Sequence, residues 1–168
     1  MTRARAAAGS FVFLLLAPGV VAGVVPWLLT GWTVNDDYAW PPLQVLGALL
    51  IVAGAGALLH AFGRFVVEGI GTPAPVAPTE RLVVGGLYRY VRNPMYVAVA
   101  ATVIGQALVL GRPGLLAYAA LFMAVVGAFV RFYEEPTLAE RFGNEYAEYR
   151  RAVPAWHPRL HPWRARNP

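Results

Sequence analysis

Long apolar runs alternate with short polar stretches along most of this chain. The runs cover residues 11–30, 43–65, 94–110 and 115–132, and the third is the shortest. Each is near the roughly 20 residues that a helix needs to cross the hydrocarbon core of a bilayer. The pattern therefore predicts an all-α integral membrane bundle of about four transmembrane helices.

The composition supports a membrane location and leaves room for one domain. Of the 168 residues, 58% are hydrophobic and 14% are charged, whereas about a quarter of the residues in a soluble domain are charged. Four helices and their connections use nearly the whole length. We therefore predict a single domain over 1–168, with an N-terminal helix pair at 11–66 and the cofactor-binding and catalytic part at 67–168.

The first apolar run also has features of a secretory signal peptide. Arg3 and Arg5 precede an apolar core, and the small residues at 20–22 resemble a cleavage site. The run continues past that point to Leu29. This continuation favours a retained membrane span.

The distribution of arginine predicts the topology. Arg3 and Arg5 precede the first run, whereas the loop after it holds Asp36 and Asp37 and no basic residue. The connection at 64–92 and the segment after 132 are rich in arginine. By the positive-inside rule, both termini and both of these segments face the cytoplasm. We expect a bacterial cytoplasmic membrane, with the chemistry on its cytoplasmic side.

Composition also narrows the partners. The formal charge of +5 suits anionic lipid headgroups, and no aromatic and basic platform for nucleic acid lies outside the apolar runs. The chain has no cysteine, which excludes disulfides, thiolate metal sites and a cysteine nucleophile. Its histidines, His60, His157 and His161, lack metal-ligand spacing. We expect membrane lipids as partners, and neither nucleic acid nor a metal.

Two polar clusters are predicted to meet at one membrane face. The first covers 80–96, just before the third run, and the second covers 131–135, at the end of the fourth. Because the third and fourth runs form a short helical hairpin, the start of one lies beside the end of the other. Adjacent Glu134 and Glu135 at the membrane margin need a positive partner. That partner is either an arginine, namely Arg89, Arg92 or Arg131, or a ligand that carries an ammonium and a sulfonium.

The start of the third run offers partners for an anion. Asn93 is predicted to cap a helix that begins with Pro94. The first turn of such a helix has free backbone N–H groups, and Arg92 beside it can pair with the same anion. A zwitterionic amino-acid group would thus find partners for its carboxylate in the first cluster and for its ammonium in the second.

The segment after Glu135 is predicted to form an amphipathic interfacial helix. Its apolar stripe consists of Leu138, Phe142, Tyr146, Tyr149 and Val153. This stripe either covers a cofactor pocket or rests on lipid, and the pattern is compatible with both. The four glycines of the second run, Gly47, Gly54, Gly56 and Gly63, are predicted to permit close helix packing.

At these clusters the sequence resembles the membrane methyltransferases that include isoprenylcysteine carboxyl methyltransferases and phospholipid N-methyltransferases. The resemblance covers about the last 100 residues. Its motifs are Gly69-Ile70-Gly71-Thr72-Pro73, Leu82-Val83 with Gly86-Leu87-Tyr88, Arg92-Asn93-Pro94-Met95-Tyr96, Glu134-Glu135 with Leu138, Phe142-Gly143, Tyr146, Tyr149 and Val153-Pro154. Asn93 stands where the family commonly has histidine.

The resemblance implies methyl transfer from S-adenosylmethionine to a membrane-embedded lipid or prenylated acceptor, through a carboxylate or an amine. It implies that Gly69 and Gly71 allow close backbone approach, and that Arg131 contacts the acceptor. For an amine acceptor, Glu135 or a water would take the proton. The cofactor-binding residues implied are Leu82, Val83, Tyr88, Asn93, Pro94, Met95, Tyr96 and Glu134, and Arg92 joins them as the anion partner.

Two other functions stay open on the sequence. A NADPH-dependent reductase of the sterol reductase type shares the architecture and an Arg-x-Pro-x-Tyr turn, but the acidic pair Glu134-Glu135 opposes a phosphate-rich cofactor. A non-enzymatic lipid-binding or assembly protein would use the polar clusters as ion-paired anchors. Packing of Glu134 against Arg92 without a pocket would favour that last function.

Overall fold

The computed structural model describes residues 3–64, 67–68 and 81–164, and helices dominate this part of the chain. The α-helices are α1 Arg3–Leu14, α2 Val25–Thr30, α3 Pro41–Arg64, α4 Pro94–Leu110, α5 Gly114–Phe129 and α6 Glu135–Ala152. Two π-helical segments, π1 Leu15–Val24 and π2 Val130–Glu134, join α1 to α2 and α5 to α6, and a short 3₁₀ helix covers Gly86–Arg89. We call the continuous α1–π1–α2 run helix 1.

The predicted all-α membrane bundle is confirmed. Phe11–Thr30, Pro41–Arg64 and Gly114–Ala152 are each long and apolar enough to cross a bilayer, and Pro94–Leu110 is a shorter apolar helix. At 39 residues, Gly114–Ala152 is about twice the length that a single crossing needs. Its second half, α6, contains the charged positions of the predicted amphipathic helix.

The bundle has two distinct ends. At one end, which we call the loop end, the connection 31–40 contacts the turn between α4 and α5. Asn35 N donates to Leu110 O at 2.8 Å, and Arg112 Nη2 donates to Thr33 Oγ1 at 2.6 Å. At the opposite end, which we call the site end, α3 finishes, α4 begins and α5 passes into α6. The site end therefore brings the two polar clusters together.

Helix 1 is tied to the bundle through carbonyls that a proline leaves unpaired. Pro26 has no N–H to give to the carbonyls four and five residues earlier, Ala22 and Val21. Gln106 Nε2 donates to Ala22 O at 2.6 Å, and Tyr118 OH donates to Val21 O at 2.9 Å. Because an unpaired carbonyl in hydrocarbon is costly, these side chains attach helix 1 to α4 and α5.

Glycines bring α3 and α4 into direct backbone contact. A Cβ placed on Gly54 would lie 2.5 Å from Thr102 Oγ1 and 2.7 Å from Ala98 O. A Cβ on Gly47 would lie 2.6 Å from Gly105 O. The predicted packing role is therefore confirmed for these two glycines of α3.

The same role is wrong for Gly56 and Gly63. Among the described residues, none lies within 4 Å of a Cβ placed on either glycine, so neither packs against α4. Spacing explains the difference, because residues two apart on a helix lie on different faces. The sequence prediction had given all four glycines the same role.

The different surroundings of Gly54 and Gly56 allow a test of the packing between α3 and α4. Gly54→Ala is expected to lower the free energy of unfolding by about 1–3 kcal/mol, because the added methyl overpacks α4. Gly56→Ala is the matched control and is expected to be neutral or to stabilise by up to about 1 kcal/mol through helix propensity. Thermal unfolding in detergent would compare them. Equal melting temperatures of the two variants would contradict close packing of Gly54 against α4.

The helix α6 packs on protein along its apolar stripe. Tyr146, Tyr149 and Val153 are buried together, and Leu82 and Val84 pack against them. Of the two predicted roles for the stripe, resting on lipid is therefore wrong for this buried part. Gly143, at φ 50° and ψ −121°, interrupts α6 in its middle.

Residues 153–163 follow α6 as an extended segment, which we call the C-terminal strap. Backbone hydrogen bonds join it to 89–93: Arg92 N to Pro154 O at 2.9 Å, Asn93 N to Ala155 O at 3.3 Å, Arg159 N to Tyr90 O at 2.9 Å and Trp163 N to Arg89 O at 2.9 Å. The strap thus holds the chain segment that leads into α4.

Candidate functional site

A cavity of about 230 Å³ lies at the site end, between helix 1, α4 and α5. Its polar side is formed by Tyr88, Arg92, Asn93, Tyr96 and Glu134. Its apolar walls are formed by Phe13, Ala17, Pro18, Val21, Pro94, Met95, Val99, Phe122 and Val126. A cavity with mostly apolar walls and a few convergent polar groups is typical of a small-molecule site.

The segment before α4 is fixed by a glycine turn and by burial. Gly86 adopts φ 57°, a left-handed conformation that glycine accepts without strain. Gly85 N donates to Glu68 Oε2 at 2.9 Å, which ties this turn to a residue four positions past the end of α3. Tyr88 follows and is buried, and its carbonyl accepts a hydrogen bond from Tyr149 OH at 2.7 Å. Burial raises the pKa of the Tyr88 hydroxyl well above its ordinary value, so the phenol stays neutral.

The helix α4 begins at Pro94, as predicted, but the side chain of Asn93 does not cap it. Asn93 Nδ2 instead donates to Ala155 O at 3.2 Å in the strap. Asn93 thus occupies the predicted N-cap position, but it lacks the side-chain hydrogen bond of a cap. The contact with the strap was not revealed by the sequence pattern. Met95 and Tyr96 belong to the first turn, where backbone N–H groups have no intrahelical acceptor. This turn lines the cavity.

Arg92 is held in one orientation at the polar side of the cavity. Its Nη1 pairs with Glu135 Oε1 at 2.7 Å and donates to Tyr146 OH at 3.1 Å, and its Nε donates to Val153 O at 2.9 Å. Within the described residues, Nη2 makes no hydrogen bond. The guanidinium is thus fixed on one side and retains donors for a further anion.

Glu135 is a buried carboxylate with both oxygens occupied. Oε1 pairs with Arg92, and Oε2 pairs with Arg150 Nη2 at 3.0 Å. Of the three predicted arginine partners, only Arg92 forms an ion pair with the acidic residues in the part of the chain that the structure describes. Arg89 Nε instead donates to Trp163 O at 2.7 Å.

Sequence analysis missed Arg150 as the second partner of Glu135. Both residues belong to α6, fifteen positions apart, so no short helical spacing links them. The interruption at Gly143 also breaks the helical periodicity between them. The spacing of Glu135 and Arg150 in the sequence therefore did not predict their ion pair.

Glu134 points in a different direction from Glu135. It lines the cavity, and its Oε2 accepts a hydrogen bond from Tyr96 OH at 3.2 Å. Successive residues of a helix point about 100° apart, which separates the two carboxylates. Glu134 is the last residue of π2. Since Arg92 pairs with Glu135 and Glu134 faces a cavity, the pocket-free packing of Glu134 on Arg92 is not found.

Both π-helical segments border the cavity. π1 contributes Ala17, Pro18 and Val21, and π2 contributes Glu134. A π turn is wider than an α turn and occurs frequently at functional sites. π1 and π2, which are far apart in sequence, thus border the same cavity.

The predicted site residues fall into three groups. Those that line the cavity are Tyr88, Arg92, Asn93, Pro94, Met95, Tyr96 and Glu134. Those described elsewhere are Leu82 and Val83, which pack in neighbouring buried clusters, together with the ion-paired Glu135 and the exposed Arg131. Gly69 and Gly71 lie outside the described residues. The cofactor and catalytic roles of all of these remain predictions.

The apolar lining of the cavity was not predicted from the sequence. Phe13, Ala17, Pro18 and Val21 come from helix 1, Val99 from α4, and Phe122 and Val126 from α5. In helix 1, the positions that face the cavity and those that face outward are both apolar, so the sequence does not distinguish them. A proline inside the first run, Pro18, was the single local signal.

Comparison with known proteins gives one family. The model of the family described as phospholipid methyltransferase matches residues 43–145, which is more than half of the chain. The match runs from α3 into α6 and includes every polar residue of the cavity. Helix 1 and the C-terminal strap lie outside it. No curated protein matches the chain.

Proposed function

Because this chain belongs to the phospholipid methyltransferase family, we propose that it transfers a methyl group from S-adenosylmethionine to a lipid-soluble acceptor. Family membership makes it a membrane methyltransferase. The observation that supports the finer proposal is the cavity itself. A carboxylate, a guanidinium and a helix start line its polar side, and membrane helices form its apolar walls.

The donor set suits a zwitterionic amino acid linked to an apolar heteroaromatic group. Arg92 and the first turn of α4 would hold the carboxylate, because both present N–H donors next to a helix N-terminus. Glu134 would hold the ammonium, since it is the acidic residue of the cavity lining. Pro94 and Met95, the apolar lining residues of that first turn, would face the uncharged remainder.

When bound, S-adenosylmethionine would supply a methyl group on a positively charged sulfur: the acceptor's nucleophile would bond to the methyl carbon as the carbon–sulfur bond breaks, and S-adenosylhomocysteine would leave. The protein contributes positioning and exclusion of water. Glu134 places negative charge at the cavity and Tyr96 holds its Oε2 in place. For an amine acceptor, a water would take the proton, because both oxygens of Glu135 are engaged by arginines and Glu134 is assigned to the ammonium of the cofactor.

We propose that the apolar half of the cavity takes the lipid chain of the acceptor. The wall from helix 1 is formed by residues whose neighbours face outward, as Leu15, Leu16 and Val20 do. An acceptor would therefore enter sideways from the bilayer. Arg131, exposed in π2, is proposed to contact its headgroup. A prenyl or acyl chain suits these walls equally.

A matched pair of substitutions tests whether the apolar half of the cavity takes the lipid chain of the acceptor. Val126 lines the cavity, whereas its neighbour Val125 is exposed to the membrane. Val126→Trp is expected to lower methyl transfer at least about tenfold by filling the space for the chain. Val125→Trp is expected to change it less than about twofold. Transfer to a lipid extract measures both, and retained transfer in Val126→Trp would place the acceptor elsewhere.

The exposed arginines support one orientation in the membrane. Arg81, Arg131, Arg141 and Arg151 are exposed near the site end. The positive-inside rule then supports a site on the cytoplasmic side. The cofactor would enter from the cytoplasm.

A NADPH-dependent reductase suits this cavity less well. Among the described residues of its lining, Arg92 is the one basic side chain, and Glu135 already pairs with it. Glu134 faces the same space and would repel phosphate groups. A 2′-phosphate needs clustered basic residues. The electrostatics therefore favour a cofactor that carries positive charge.

Calorimetric titration of the detergent-purified protein tests this proposal. S-adenosylhomocysteine, the product form of the cofactor, is expected to bind with one site per chain. NADPH titrated in parallel is expected to give no binding heat. Binding of NADPH without S-adenosylhomocysteine would replace the proposal with a reductase, and binding of neither would favour a non-enzymatic role.

A further inference from the structure

The groups that orient Arg92 lie in α6 and at the start of the C-terminal strap. Glu135, Tyr146 and Val153 contact its guanidinium directly. Arg150 contacts it indirectly, through the second oxygen of Glu135. Tyr146, Arg150 and Val153 all follow residue 145, where the family match ends. The anion-binding side of the cavity is thus completed by a part of the chain that the family match does not include.

From this arrangement we propose that Arg150 is a positioning residue, which acts through Glu135 to hold Arg92 toward the cofactor. The proposal rests on the proposed function, because it assigns Arg92 to the carboxylate of the cofactor. Arg150 itself does not line the cavity. Its effect should therefore appear in cofactor affinity and not in the rate of the bound complex.

The geometry explains why one exposed arginine matters here. The Glu135 side chain is 8% exposed and that of Arg92 is 12% exposed, whereas that of Arg150 is 45% exposed. A buried carboxylate needs its charge compensated on both oxygens. Without Arg150, Oε2 would lack a cation and Glu135 would compete for a second N–H of Arg92. That competition would turn Arg92 away from the cavity.

The opposing possibility is that Arg150 forms an ordinary surface ion pair. An exposed pair of this kind contributes little. Arg151 provides the matched control, since it is the next residue and is exposed. No ion pair to Arg151 occurs within the described residues. A charge effect alone would act equally at both positions.

Calorimetry with S-adenosylhomocysteine on the full-length protein tests the proposal. Arg150→Gln is expected to weaken binding about tenfold, and Arg150→Lys is expected to recover most of that loss by restoring the cation. Arg151→Gln is expected to change affinity less than about twofold. In methyl-transfer kinetics, Arg150→Gln should raise KM for S-adenosylmethionine and leave kcat within about twofold. Equal losses in Arg150→Gln and Arg151→Gln would overturn the proposal.

A double-mutant cycle tests whether Arg150 acts through Glu135. In a Glu135→Gln background, adding Arg150→Gln is expected to weaken binding by less than about twofold further, because the link is already broken. A full additional tenfold loss would overturn the indirect route.

A ligand-free measurement separates this proposal from the proposed function. Hydrogen exchange at the amides of Arg92 and Asn93, which bond to the strap, is expected to rise in Arg150→Gln and not in Arg151→Gln. In the Glu135→Gln background, Arg150→Gln should add no further rise. If the wild-type protein bound no S-adenosylhomocysteine, the proposed cofactor would be wrong, while the exchange pattern would still decide the role of Arg150. Unchanged hydrogen exchange in Arg150→Gln would overturn the positioning role of Arg150.

Discussion

Glu134→Gln is expected to weaken S-adenosylhomocysteine binding at least about 100-fold and to abolish measurable methyl transfer. Glutamine keeps the size of the side chain and an oxygen that can accept from Tyr96 OH, so the local packing survives. What is lost is the negative charge on a half-buried group that faces the cavity. Losing a charged partner of a desolvated ligand group typically costs about 2–5 kcal/mol. Calorimetry and a methyl-transfer assay would measure the two effects.

Tyr96→Phe is the control for this prediction. It removes the hydrogen bond to Glu134 and keeps the carboxylate, so it is expected to weaken binding by about threefold to tenfold. Thermal unfolding of Glu134→Gln should stay close to that of the wild type. Wild-type affinity in Glu134→Gln would exclude this carboxylate from the cofactor site.

Arg92→Gln is expected to have the second-largest effect, on stability as well as on binding. The substitution leaves the buried carboxylate of Glu135 with Arg150 alone, and it removes a donor to Val153 O. Breaking a buried ion pair from one side destabilises a protein by about 3–5 kcal/mol. We expect a loss of about 3 kcal/mol in the free energy of unfolding together with loss of S-adenosylhomocysteine binding. Thermal unfolding in detergent and calorimetry would measure these losses.

Arg89→Gln separates this effect from a general loss of positive charge. Arg89 lies three residues earlier, and its Nε donates to Trp163 O in the strap. Its substitution is expected to cost about 1 kcal/mol, since it removes one hydrogen bond to a carbonyl. Similar losses of stability in both variants would contradict the buried Arg92–Glu135 pair.

Hydropathy and topology were sufficient to predict the bundle and the meeting of the two polar clusters. A long apolar run has few structures available in a membrane, so its length predicts a helix. The short turn at 111–113 then forces the start of α4 beside the end of α5. That is why Tyr96 and Glu134, 38 residues apart, could be expected at one site and do form a hydrogen bond.

Partner choice within the site could not be predicted, because it depends on contacts distant in sequence. Asn93 occupies the predicted N-cap position, yet its side chain donates to Ala155 O instead of bonding to the helix. Glu134 and Glu135 are neighbours of the same type, yet one faces the cavity and the other pairs with two arginines. The position of the π turn and the path of the strap decide these outcomes, and neither has a local sequence pattern.

The contribution of helix 1 was hidden for a different reason. Its side chains at the cavity are as apolar as those at the lipid, so composition does not distinguish the two faces. Its attachment depends on Gln106 and Tyr118, which bond to carbonyls near Pro26. A proline late in an apolar helix, together with polar residues inside two other spans, is the signal that sequence analysis could have used.

Methyl transfer from S-adenosylmethionine labelled in its methyl group is the most direct test of the proposed activity. Purified protein in vesicles of extracted membrane lipid would be incubated with the labelled cofactor, and the organic phase would then be counted. Wild-type protein should place label in a lipid-soluble product, and Glu134→Gln should not. Label that stays in the aqueous phase with both proteins, over a range of lipid extracts, would contradict a lipid methyltransferase.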